Sequence, residues 1–259
     1  MFPLCCRLSK CMHIRQGPYY SARGETISGY HGRRDHWRHQ WRTRCPGIPQ
    51  PSTQDMDIVL DDLGNRINVH NRDRKPLVWF IGCSETFGHA VPHGQTLAEL
   101  YTELTGIPSA NLGWPGGSNA WNCSRLLGLL AGWGTPQQIF FQWTQADRFF
   151  IPFSGTIRHW TPGWSSLEDL PRAWVRAYTD PPAVRVRQWQ ISAVLAQLRC
   201  VYSWTPFPQE IAAPAADLVA VEPWGMPWRI PEELAPDGEH SSGVRHGRWA
   251  QRAAEIYSG

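Results

Sequence analysis

The run PLVWFIG over residues 76–82 constrains this chain more than any other stretch. It is apolar without alternation and stands between charged residues and a glycine-bounded turn. A strand with one wet face would alternate, because successive side chains point to opposite sides of a sheet. A continuous apolar strand therefore reads as covered on both faces, the habit of parallel sheets with helices above and below. The following text agrees. GQTLAELYTELTG (94–106) has helical spacing and stops at Gly106, and IPSANLG (107–113) reads as a second strand. SNAWNCSRLLGLLAGWG (118–134) is a second helix stopped by glycine, and QQIFFQW (137–143) a third strand. VRVRQWQISAVLAQLR (184–199) predicts a helix, CVYSW (200–204) a fourth strand and HGRWAQRAAEIY (246–257) a closing helix. Between them, 150–182 is rich in Trp, Pro and Asp and reads as an irregular insertion. Strand alternating with helix predicts an α/β domain built on a parallel sheet.

The first 55 residues follow none of these rules. They lack periodicity, run through GRRDHWRHQWRTR and end in the linker PGIPQPSTQ. Residues 1–54 carry eight Arg and one Lys against Glu25 and Asp35, so the basic head masks an acidic body behind the net charge of +3. Three readings of the head stay open: a disordered basic tail, a nucleic-acid-binding arm with Trp37 and Trp41 among its arginines, or a chain whose translation begins at Met56. The expected domains are therefore 1–55, a basic segment and linker, and 56–259, the folded α/β unit. Nucleic acid is not the expected partner of that unit. No stretch approaches the roughly 18 apolar residues that span a bilayer, and the N-terminus lacks a secretory h-region. A cytoplasmic protein without a membrane partner is expected. Cys83, Cys123 and Cys200 lie in apolar contexts without a pairing pattern, as reduced buried thiols do.

Three stretches carry candidate chemistry. GCSETFG (82–88) places Ser84 directly after the first strand, at the carboxyl edge where open α/β sheets hold their ligands. NLGWPGGSN (111–119) ends the second strand in a glycine-rich turn whose unpaired N–H groups suit an oxyanion. PDGEHSSGVRHGRWA (236–250) sets Asp237 three residues before His240, ahead of the last helix. A serine hydroxyl is a poor nucleophile at neutral pH and needs an imidazole base with a group to orient it. His89 and His93 are four apart, but Pro92 interrupts any helix that would align them as metal ligands.

In that order, the three stretches resemble the SGNH (GDSL-type) hydrolases over residues 76–255. The resemblance implies a flavodoxin-like three-layer α/β/α sandwich and an esterase without metal or organic cofactor. It implies Ser84 as nucleophile, His240 as base and Asp237 as its orienting carboxylate. The N–H groups of Ser84 and Gly116 would form the oxyanion hole, and His246 would pack behind the catalytic loop. Two positions depart from the pattern. Cys83 replaces a frequent aspartate. FFQWTQADR (140–148) lacks the asparagine that the family's third block supplies to the oxyanion hole, leaving Thr144 or Gln145 to donate there. Losing one such donor costs about 3 kcal/mol in the transition state, roughly a hundredfold in rate.

Trp114, Asn119 and Trp143 are the candidate substrate contacts, and an acetyl ester on a carbohydrate or glycan is the preferred substrate. An inactive binding or structural module and an acyltransferase to a hydroxyl acceptor stand as alternatives. Oligomeric state is not legible.

Overall fold

The computed structural model describes residues 65–71, 74–153, 156–160, 172–207, 220–224, 233–235 and 240–258. The basic head, its linker and Asp237 lie outside the described residues.

Five strands form one parallel sheet: β1 (Val78–Gly82), β2 (Ser109–Gly113), β3 (Gln138–Gln142), β6 (Val201–Thr205) and β7 (Val221–Pro223). Their order is β2-β1-β3-β6-β7. Counted within this sheet alone the order is 2-1-3-4-5, the flavodoxin-like winding. It reverses between β1 and β3, and the crevice beyond the carboxyl ends at such a reversal is where α/β sheets bind ligands.

Both faces of the sheet are covered, as the apolar β1 run requires. Val78 and Phe80 face one layer, where Leu97, Ala98 and Tyr101 of α2 (Leu97–Thr105) meet Trp249, Ala250 and Ala253 of α6 (Gly243–Ser258). Trp79 and Ile81 face the other, with Cys123 and Leu126 of α3 (Asn119–Trp133) and Ile191 and Leu195 of α5 (Pro181–Ala196). Phe80 stacks on Phe140 of β3 at 5.0 Å between ring centroids. Local signals set the helix ends. Thr96 caps α2 in a box with Glu99, and Gly106 closes it in the left-handed region at φ 70°. Ser118 caps α3 by accepting from Trp121 N–H.

The insertion 150–182 is more regular than expected. Phe149–Phe153 (β4) and Thr156–Trp160 (β5) form an antiparallel ribbon, and Arg172–Thr179 forms helix α4. Pro152 disguised the ribbon, because proline breaks an interior strand. In a two-stranded ribbon each strand keeps a free edge where the missing N–H costs nothing. The three-residue β7 was too short to read. Cys83, Cys123 and Cys200 are free thiols, and burial pushes Cys123 up to about 11.

Candidate active site at the β1–β3 switch point

Chain order alone separates Ser84 from His240; the fold brings them into contact. β1 ends at Gly82 and the chain turns at once into the short helix α1 (Ser84–Phe87), with Cys83 extended at its N-cap. Ser84 thus stands at the carboxyl edge of the sheet beside the reversal in strand order. His240 arrives just before α6 and places Nε2 3.0 Å from Ser84 Oγ. Both residues are buried, 6% and 5% exposed.

The turn that carries Ser84 is held from below by a residue that the sequence did not single out. Gln142, the last residue of β3, accepts through Oε1 from the N–H groups of Cys83 (3.1 Å) and Thr86 (3.2 Å) and from the Thr86 hydroxyl. A Cβ on Gly82 would lie 2.2 Å from that oxygen, so glycine is needed for the close approach. Asn111 on β2 donates to Phe87 C=O, and Arg66 donates to Gly88 and Val91 C=O, which fixes the exit from α1. The available signal for Gln142 was a glutamine at the carboxyl end of a strand whose three central residues are apolar, since a buried side-chain amide must find partners.

The glycine-rich turn after β2 was expected to leave its N–H groups unpaired, but those of Gly113, Trp114 and Gly117 are bonded within the fold. Gly117 N–H donates to Trp114 C=O at 2.9 Å, with Gly116 at φ 73° in the third position of the turn. Among the described residues, the N–H groups of Ser84 and Gly116 have no protein acceptor. The two candidates for the third donor part company. Thr144 is buried and its Oγ1 has no partner among the described residues, whereas Gln145 Oε1 accepts from Arg148 Nε at 3.0 Å. Burial raises the half-buried Asp147 carboxyl of the same loop above the usual range.

The expected substrate contacts sit deeper than a binding surface. Asn119 accepts from Thr144 N–H at 2.7 Å and donates to Thr144 C=O and to Gln188, so it anchors the loop after β3. Trp143 has no exposed surface and packs edge-on against Phe141 in the core. Trp114, 9% exposed, lies edge-on to Trp121 with the Arg125 guanidinium 4.9 Å over its ring. Aromatics in active-edge turns are as useful for packing as for binding, and sequence alone does not separate the two. A cavity of about 580 Å³ opens elsewhere, beside edge strand β2, lined by Asn68, Lys75, Trp79 and Trp133 among others and by neither Ser84 nor His240.

The histidines divide by partner. His89 lies with its ring 4.7 Å from that of His240, while His93 Nδ1 sits 3.1 Å from Glu99 of the α2 cap. No group of three metal-ligating side chains occurs among the described residues. His246 is buried behind the site, where Nδ1 accepts from Leu97 N–H at 2.8 Å and the ring lies 5.1 Å from Trp249. Burial, then the charges of Arg66, His240 and Arg245, push its pKa down to about 3. The unfolded chain thus binds a proton near pH 6.5 that the folded one refuses. Stability from this group is complete above that value and is lost as pH falls from about 6.5 toward about 3. Denaturant unfolding at pH 7.5 and 5.5 checks this: His246→Gln is expected to remove about 1.4 kcal/mol from the wild-type loss of stability across that interval.

No protein-family profile and no curated protein sequence matches this chain. Among solved structures, a candidate lipolytic protein of the G-D-S-L family from Desulfitobacterium hafniense DCB-2 superposes with a TM-score of 0.38 at 12% identity. The match covers 69% of this chain and 98% of the other. A likeness this distant establishes nothing about chemistry, which has to come from the chain's own residues. Among the described residues no helix is long and apolar enough to cross a membrane.

Proposed function

We propose that the protein is a serine esterase that works by acyl transfer through Ser84 and His240. The observation that carries this reading is the 3.0 Å contact between Ser84 Oγ and His240 Nε2 at the switch point of a parallel sheet. With the proton on Nδ1, the Nε2 lone pair accepts the hydroxyl proton as Oγ attacks an ester carbonyl. The imidazolium then returns that proton to the departing alkoxide, leaving an acyl-serine. Water, deprotonated by the same nitrogen, releases the carboxylic acid and restores the hydroxyl. Asp237 is proposed as the carboxylate that orients Nδ1–H, on the strength of its spacing from His240. The N–H groups of Ser84 and Gly116 and the Thr144 hydroxyl are proposed to hold the oxyanion, because each is a donor without a partner among the described residues.

A small acyl group suits a nucleophile and base that are both so little exposed. An acetyl ester, carried by a carbohydrate, is the substrate class we favour. The test is turnover of p-nitrophenyl acetate beside p-nitrophenyl butyrate. The reading expects turnover that Ser84→Ala abolishes and that favours acetate. Absent turnover together with absent fluorophosphonate labelling would leave a binding module instead, and acetylation of an added alcohol in preference to hydrolysis would make the protein a transferase. Thr144→Val keeps the shape and removes the hydroxyl. It is expected to lower kcat about a hundredfold with little change in KM, as loss of one oxyanion donor does.

A further inference from the structure

The Glu85 carboxylate is buried immediately after the nucleophile, 5% exposed. A buried carboxylate is costly unless hydrogen-bonded. Here Oε2 accepts from the N–H of Ser241, the peptide that follows His240, at 3.1 Å. Two links therefore run side by side between the same two segments: Ser84 to His240, and Glu85 to Ser241.

Two described backbone hydrogen bonds stay within the base loop. Ala235 N–H donates to His240 C=O at 2.7 Å, and Ser242 N–H donates to Glu233 C=O at 2.8 Å. Those bonds shape the loop without fixing its distance from the nucleophile. Among the backbone hydrogen bonds of residues 240–242 in the described structure, the one to Glu85 crosses to the nucleophile segment. His89, on that same segment, adds ring packing against His240 at 4.7 Å. Displacement of a catalytic group by about 1 Å can cost about 10²-fold in rate.

We propose that Glu85 is a positioning residue, holding the backbone of the base loop so that His240 stays in reach of Ser84. The proposal rests on the Ser84–His240 reading and adds to it an element supplied by the nucleophile segment itself. An acceptor oxygen at the right reach is what the role needs. Glutamine preserves that oxygen, aspartate keeps the charge but shortens the reach, and alanine removes both.

The experiment measures the rate and the final stoichiometry of fluorophosphonate labelling, with kcat and KM for p-nitrophenyl acetate, in wild type, Glu85→Gln, Glu85→Asp and Glu85→Ala. Ser84→Ala runs alongside. Stoichiometry reports the fraction of competent molecules and the rate reports their geometry, so a general loss of folding lowers the first while misplacement of the base lowers the second. The proposal expects Glu85→Ala and Glu85→Asp to label to the wild-type end point at least tenfold more slowly. Their kcat is expected to fall likewise with KM within twofold, and Glu85→Gln to stay within about threefold of wild type. If alanine does not fold, the contrast between glutamine and aspartate decides alone. Wild-type rates in Glu85→Asp, a glutamine variant as slow as aspartate, or a loss confined to stoichiometry would each overturn it. Labelling of wild type that persists in Ser84→Ala, or no labelling at all, would instead remove the Ser84–His240 reading, and this proposal with it.

Discussion

Ser84→Ala is expected to lower kcat toward p-nitrophenyl acetate by at least about 10³-fold, and His240→Ala by a comparable factor. The doubly substituted protein is expected to be no slower than either single one. The reason lies in the single contact that joins them, Ser84 Oγ to His240 Nε2 at 3.0 Å. Without the imidazole the hydroxyl keeps its proton and is a weak nucleophile; without the hydroxyl the imidazole has nothing to activate. Residues that act as one unit show grossly non-additive losses. Steady-state kinetics on the four proteins checks this, and a double variant slower by the product of the single factors would show that the two side chains act independently.

Gly113→Ala is expected to be the most damaging small substitution outside that pair. A Cβ at the end of β2 would stand 2.2 Å from Phe87 N and 2.6 Å from Phe87 Cα, with Thr86 C at 2.8 Å. All three are backbone atoms of α1, the helix that begins at Ser84, so no side chain can swing aside to make room. Either the strand or the helix that carries Ser84 has to move. Overpacking of this kind costs about 1–3 kcal/mol of stability. Displacing Ser84 by as little as 1 Å adds about a hundredfold loss of rate. Gly132, inside α3, is the matched control, because a Cβ there meets nothing within 4 Å. Alanine at that position is expected to be neutral or stabilising by up to about 1 kcal/mol. Thermal melts and activity of the two variants side by side check the pair of expectations.

The alternation of strand and helix was legible because each element carries its own signal. The apolar run ending at Gly82 showed a strand covered on both sides, and Gly106 and Gly134 marked helix ends that the structure keeps. The ribbon of β4 and β5 was not legible, since Pro152 reads as a breaker until the strand is known to have a free edge. Ser84 and His240 could be named from short motifs, and the fold brings them together. Gln142 and Glu85 could not, for their partners lie 56 to 59 and 156 residues away in sequence. Trp143 and Asn119 illustrate the converse. Both occupy the active edge of the sheet, yet one fills the core and the other secures the loop carrying Thr144. Proximity to an active edge is a property of the sequence pattern, whereas the direction a side chain takes is decided by what packs around it.

Covalent capture shows whether Ser84 is a nucleophile activated by His240. Wild-type protein would be treated with a fluorophosphonate, and the intact mass and the modified peptide read by mass spectrometry. A single adduct on Ser84 is expected, formed far more slowly in His240→Ala and absent in Ser84→Ala. An unmodified wild type, or an adduct that survives Ser84→Ala, would contradict it.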